Sequence, residues 1–189
     1  MRYYLMESDR NYPAAPRIIN WNRELDTRNL REGYYDKIED RLLLCIQPNR
    51  KTEFLDVVST PFFLMSEKMQ ECVALYEPNL RYKDVVLLDK VNAAAQLYLL
   101  PMLREVDCLT EHATFNLDHS ELKEIEIDED QAEDKVIFRI ANVKKSYVVV
   151  RLDLLESLLR RGVYGLSVQE IKVRKGKGSW LAQEMKKSI

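Results

Sequence analysis

Few residues of this chain have the types and spacing that chemistry requires. The two histidines, His112 and His119, are flanked by Glu111 and Asp118. A metal site built from these four would need its imidazoles to converge. On a strand, a separation of seven places side chains on opposite faces, and on a helix it places them two turns apart. The HExxH spacing that brings two histidines to one ion is absent. They read as two loop histidines facing solvent. Cys45, Cys72 and Cys108 lie in apolar surroundings with no CxxC pair. An odd number of scattered cysteines argues for reduced, buried thiols and against a disulfide framework or a zinc site. Ser167 follows Gly165, but no second glycine completes a nucleophile elbow. Gly176-Lys177-Gly178 lacks the preceding strand and the following Lys-Ser/Thr of a phosphate loop. The sequence names no catalytic residue, no metal ligand and no cofactor.

Charge is the more informative chemistry. Glu121, Glu124, Glu126, Asp128, Glu129, Asp130, Glu133 and Asp134 crowd into one short stretch. Ile125 and Ile127 interrupt it and suggest a strand entering an acidic loop. Such a run either keeps a surface solvated or docks a basic partner, because complementary charge speeds capture and fixes register. The candidate partner-binding residues are Glu124, Glu126, Asp128, Glu129, Asp130, Glu133 and Asp134. The opposite sign gathers near the end of the chain, at Lys172, Arg174, Lys175, Lys177, Lys186 and Lys187. That segment can pair with the acidic loop, bind something acidic, or fray. A net charge of −2 leaves no overall basic footprint for nucleic acid.

The elements that must position these groups are most legible between Ser146 and Val173. Tyr147-Val148-Val149-Val150 is a β-branched and aromatic run that predicts a strand. Asp153 and Glu156 have the spacing of a capping box. Leu154, Leu155, Leu158 and Leu159 make one apolar stripe of a two-turn helix. Arg160 and Arg161 suit its C-terminal dipole, and Gly162 its left-handed stop. Leu166, Val168, Ile171 and Val173 predict another strand, with a break in alternation that suggests a bulge.

The same segment resembles a known family. Tyr147-Val-Val-Val, Asp153-Leu-Leu-Glu156-Ser157-Leu-Leu-Arg160-Arg161-Gly162 and Gly165-Leu166 are similar to the C-terminal signature of a bacterial polymorphic-toxin immunity protein family, long catalogued as a domain of unknown function. Pro61-Phe-Phe-Leu-Met65-Ser66-Glu67-Lys68 and Tyr98-Leu99-Leu100 through Val106-Asp107-Cys108-Leu109 extend the likeness over roughly residues 1 to 173. The resemblance implies a non-enzymatic protein, encoded beside a secreted or contact-dependent toxin, that binds and neutralises that toxin inside the cell. It carries no catalytic residues onto this chain. A different class, a small hydrolase-like enzyme with its site assembled from residues remote in sequence, is the alternative that the residues leave open.

The length of 189 residues fits one domain, expected over 1–173 with a basic tail at 174–189. Met1 to Glu7 breaks into charge too early for a signal peptide, and no apolar run approaches a membrane span. The expected location is cytoplasmic. Strands are predicted at Tyr3–Met6, at Leu42–Ile46, where the apolar run fits a buried strand, and at Val85–Leu88. Ile18, Ile19 and Trp21 make a short strand or an anchor on the core, Phe54–Val58 a strand or an extended arm, and Thr114–Asn116 an extended segment. Asn92–Gln96, with three alanines, suggests a helical turn, and Pro101 an edge position or a bulge. Met65, Met69, Cys72, Val73 and Tyr76 give a helical stripe capped by Ser66. Trp21 is expected to pack on the core. Val136–Val150 predicts a hairpin with Val136, Phe138 and Ile140 inward. The fold class is therefore α+β: a single domain, mostly antiparallel sheet with a few packed helices.

Overall fold

In a computed structural model, residues 1–118 and 120–175 are described. The strands, in chain order, begin with β1 (Tyr3–Ser8), β2 (Ile18–Ile19), β3 (Arg41–Ile46), β4 (Val57–Val58) and β5 (Leu64–Met65). Helix α1 (Glu67–Ala74) precedes β6 (Tyr82–Asp89), β7 (Ala94–Pro101), β8 (Glu105–Val106), β9 (Thr114–Phe115), β10 (Leu122–Glu124) and β11 (Glu126–Asp128). A helical turn α2 (Glu129–Ala132), β12 (Ile137–Ile140), β13 (Val148–Arg151), α3 (Leu152–Arg160), β14 (Leu166–Glu170) and β15 (Lys172–Arg174) complete the α+β order.

Two sheets carry the fold. One has the order β14-β1-β13-β12-β8, the other β2-β3-β6-β7-β5-β4. Most pairings are antiparallel; β3 with β6, β8 with β12 and β11 with β15 are parallel. The expected hairpin forms, with Ile137 opposite Val150 and Arg139 opposite Val148. Alternation along β1 and β13 then separates two cores, because successive side chains point to opposite faces. Met6, Val148 and Val150 pack with Met65, Met69, Val73, Leu154 and Leu158 between the sheets and the helices. Tyr3, Leu5, Phe138 and Val149 pack on the far face with Cys108, Ile127, Ala132 and Ile171. Both faces of this sheet are thus covered, so Ile137, expected outward, is buried at 5% exposure.

The six-stranded sheet curls. Its edges, β2 and β4, line one cleft, and Ile18 and Val58 share a third core with Leu44, Phe62, Leu87 and Tyr98. Short 3-10 turns at 21–23, 27–30 and 35–37 close it, inserting Leu25, Leu30, Tyr35 and Ile38. Trp21 begins the first of these turns rather than extending a strand, and packs edge-on to Phe62 at 6.0 Å. The outer face of this sheet is less covered. Leu43 of β3, expected in a buried strand, is 59% exposed.

Three further local expectations differ from the structure. Helix α3 starts one residue before Asp153, directly out of β13, so no capping box forms. The Asp153 carboxylate instead takes the Arg151 guanidinium at 2.8 Å and the Leu154 amide at 3.0 Å. No helical turn forms at Asn92–Gln96: Asn92 and Ala93, at φ 49°, close a tight turn, and Ala94–Gln96 already belong to β7. The break between Val168 and Ile171 is a change of sheet: β14 pairs with β1, and β15 leaves to pair with β11. By contrast, Ser66 caps α1 as expected, its hydroxyl accepting from the Met69 amide at 3.2 Å.

Candidate functional site

The acidic stretch is a layer laid over the far face of the five-stranded sheet. Ile127 is its anchor, fully buried among Tyr3, Phe138 and Ile171. Residues on either side of Ile127 in the strand face outward. Parallel pairing sets Glu126 opposite Lys172 and Asp128 opposite Arg174, so the two ladders carry opposite charge in register. Cross-strand pairs of opposite sign stabilise such a ladder modestly.

The seven candidate carboxylates divide into two groups. Glu124 meets Lys172 Nζ at 3.4 Å. Glu126 accepts from Thr110 Oγ1 at 2.9 Å. Asp128 caps α2 by accepting from the Asp130 amide at 2.9 Å. Glu129 takes the Met1 ammonium. These four hold the layer together. Asp130, Glu133 and Asp134 are exposed and make no salt bridge among the described residues. Asp134 has φ 64°, a left-handed conformation that Asp tolerates better than most residues. Tyr3 fixes the turn from beneath, its hydroxyl donating to the Ala132 carbonyl at 2.6 Å, and burial raises the Tyr3 pKa. Asp130, Glu133 and Asp134 thus lie exposed around a turn that is anchored from beneath.

The other expected chemistry falls elsewhere. His112 is exposed, 3.7 Å from Glu111, which also meets Arg174 at 3.1 Å. His119 and the segment from Gly176 to Ile189 lie outside the described residues. No group of three His, Cys, Asp or Glu among the described residues could hold a metal ion. Burial pushes the Cys108 thiol up to about 12, which leaves it a poor nucleophile. Carboxylates held low, such as Asp26, Asp40, Asp118 and Glu170, owe it first to side-chain hydrogen bonds from Arg28, Lys83, Ser120 and Arg2 respectively. None of the four lines any of the three larger clefts.

Sequence reasoning missed a second charged feature. Two clefts, of about 340 and 510 Å³, meet at Trp21, Pro61 and Lys145 and are rich in arginine and lysine. The contributing cations come from segments far apart in the chain. Only the adjacent Lys144 and Lys145 could have signalled it.

A family profile described as "Immunity protein family (Imm11)" matches residues 3–173. The chain belongs to the Imm11 immunity protein family. No curated protein matches it. In this Imm11 chain the matched span opens at Tyr3, under the acidic turn, and closes at Val173, in register with Ile127. The acidic layer therefore lies within the family's own extent. No helix among the described residues is long and apolar enough to cross a membrane.

Proposed function

We propose that this chain acts inside the cell as the immunity protein of a toxin system, binding its cognate toxin and neutralising it by occlusion rather than by catalysis. Membership of the immunity family supports the general role. The observation that carries the binding mode is the division of the acidic stretch. Glu124, Glu126, Asp128 and Glu129 are spent on holding the layer, whereas Asp130, Glu133 and Asp134 are presented on it without ion-pair partners among the described residues. A basic toxin surface would be steered to this rim, and rim charges act chiefly on the association rate.

The test uses the protein encoded by the neighbouring toxin gene, in stopped-flow or surface-based kinetics at two salt concentrations. Asp130→Lys and Glu133→Lys with Asp134→Asn, which respects the left-handed position, should slow association about tenfold at low salt and leave dissociation nearly unchanged. Higher salt should shrink the difference, because the screening length falls to about 8 Å at physiological ionic strength. Association that is equally fast in variant and parent at both salts removes the acidic rim as the docking surface.

A further inference from the structure

We propose that the trench centred on Trp21 binds an acidic, extended segment of a protein partner. This inference concerns different residues and the opposite charge from the toxin-docking rim, and does not depend on it.

The trench is the union of the two clefts that share Trp21, Pro61 and Lys145, about 340 and 510 Å³. Its ionic lining is lopsided. Glu7, Asp9 and Glu105 are its carboxylates. Glu7 is taken by Lys145 at 2.7 Å and Glu105 by Arg139 at 2.9 Å. Arg10, Arg17 and Arg31 are exposed and make no salt bridge among the described residues, and Lys144, also exposed, lies near enough to Asp118 to help lower its pKa. In a chain of net charge −2, that concentration of exposed cations around one depression creates a local field for anions.

Arg139 lines the smaller of the two clefts. Its Nη2 donates to the Leu30 carbonyl and Glu105, but Nε is buried and has no hydrogen-bond partner among the described residues. A buried donor left unpaired costs free energy. Trp21 is only partly buried, packed edge-on to Phe62 at the rim of the curled sheet's core. A partly exposed tryptophan beside arginines has the composition of an interface anchor. Pro13, Ile18 and Val58 supply apolar lining between the charges.

That interleaving selects the ligand class. A nucleic acid strand requires a positive groove that tracks its backbone, and here Asp9, which makes no salt bridge among the described residues, shares the lining with the cations. A free phosphate would need cations converging on one point, whereas these are spread along both clefts. Carboxylates and apolar side chains together on an extended peptide fit a lining that holds both cations and apolar residues.

The experiment uses the full chain carrying Trp180→Phe, which leaves Trp21 as the only tryptophan of the two. The probe is an eight-residue peptide alternating glutamate and leucine, titrated while Trp21 fluorescence is read. A saturable change is expected. It should weaken about tenfold in the Arg31→Glu, Lys144→Glu double variant and also on raising salt from about 50 to about 300 mM. Both substituted side chains are exposed, so an unchanged thermal melt is expected to confirm that the variant folds. The proposal is overturned if the peptide gives no saturable change up to about 1 mM, or if a lysine–leucine peptide gives the same change. It is also overturned if inorganic phosphate or a thymidine oligonucleotide binds at lower concentration than the acidic peptide. No toxin takes part, so a negative result here leaves the rim untouched, and the reverse.

Discussion

At Gly165 the backbone has φ +74°, and a Cβ built there would stand 2.6 Å from the Cβ of Leu55. Gly162 has nearly the same φ, +67°, but open space around it. The pair separates conformational strain from steric conflict. Gly162→Ala should cost about 1 kcal/mol, the penalty of a left-handed L-residue. Gly165→Ala should add overpacking to that and cost about 3 kcal/mol or more, read from urea midpoints of the two variants. Equal losses would mean that Leu55 moves aside. Asp89 makes a second case. Its buried carboxylate accepts from Thr52 Oγ1, Asn92 Nδ2 and the amides of Val91 and Asn92. These bonds, Thr52 foremost, pull its pKa down to about 2. A depressed carboxylate stabilises above its unfolded pKa of about 3.9 and loses that contribution as pH falls toward its folded value. Asp89→Asn should therefore lower the melting temperature at pH 7, and the gap to the parent should close between about pH 4 and pH 2. A gap independent of pH would assign the role of Asp89 to shape rather than charge.

Among the elements, α3 shows what local pattern can and cannot specify. Its stripe is legible because period 3.6 sets one face, and Leu154, Leu155 and Leu158 are buried on it. Leu159, one position beyond, is 52% exposed, since the neighbours that set the width of the buried stripe are distant in sequence. Leu158→Ala should cost about 2–5 kcal/mol and Leu159→Ala well under half of that. Similar shifts in chemical melts would contradict this packing. The 3-10 segment from Trp21 to Lys37 was not legible for the same reason. Leu25, Leu30, Tyr35 and Ile38 are fixed by the curled sheet they close, not by their own period. At 92–96, three alanines favour helix locally, but β6 and β7 pair from Tyr82↔Pro101 to Asp89↔Ala94 and override that preference. The acidic stretch was legible in composition and in Ile127. Which of its carboxylates are spent and which are presented depended on Lys172, Thr110 and Met1, all supplied by tertiary pairing. The Trp21 trench draws on segments still further apart.

Across the whole molecule, the two sheets share one core rather than meeting at a seam. Met6, Ile137, Val148 and Val150 of one sheet and Val57 and Met65 of the other lie in a single cluster with Met69, Cys72 and Leu158. A polar node crosses the same junction. The Asp56 carboxylate accepts from Ser66 Oγ at 2.6 Å and from the Tyr164 amide at 2.9 Å, and meets Lys68 Nζ at 2.7 Å. It thus ties β4, the cap of α1 and the loop after α3 to one point. Ser8 of β1 adds a second link, its Oγ accepting from the Ser59 amide at 2.7 Å. A core continuous across both sheets should unfold as one unit. In the Trp180→Phe chain, Trp21 reports on the curled sheet while far-UV circular dichroism reports on all the strands. The two urea transitions should superimpose. Asp56→Ala should shift both together by about 2 kcal/mol, the scale of hydrogen bonds to a charged group. The contribution of Lys68 to that loss is small, because its side chain is 41% exposed and solvent screens the pair. A Trp21 transition preceding the dichroism change, in the parent or only in Asp56→Ala, would show that the curled sheet opens by itself and that the shared core does not bind the halves into one cooperative unit.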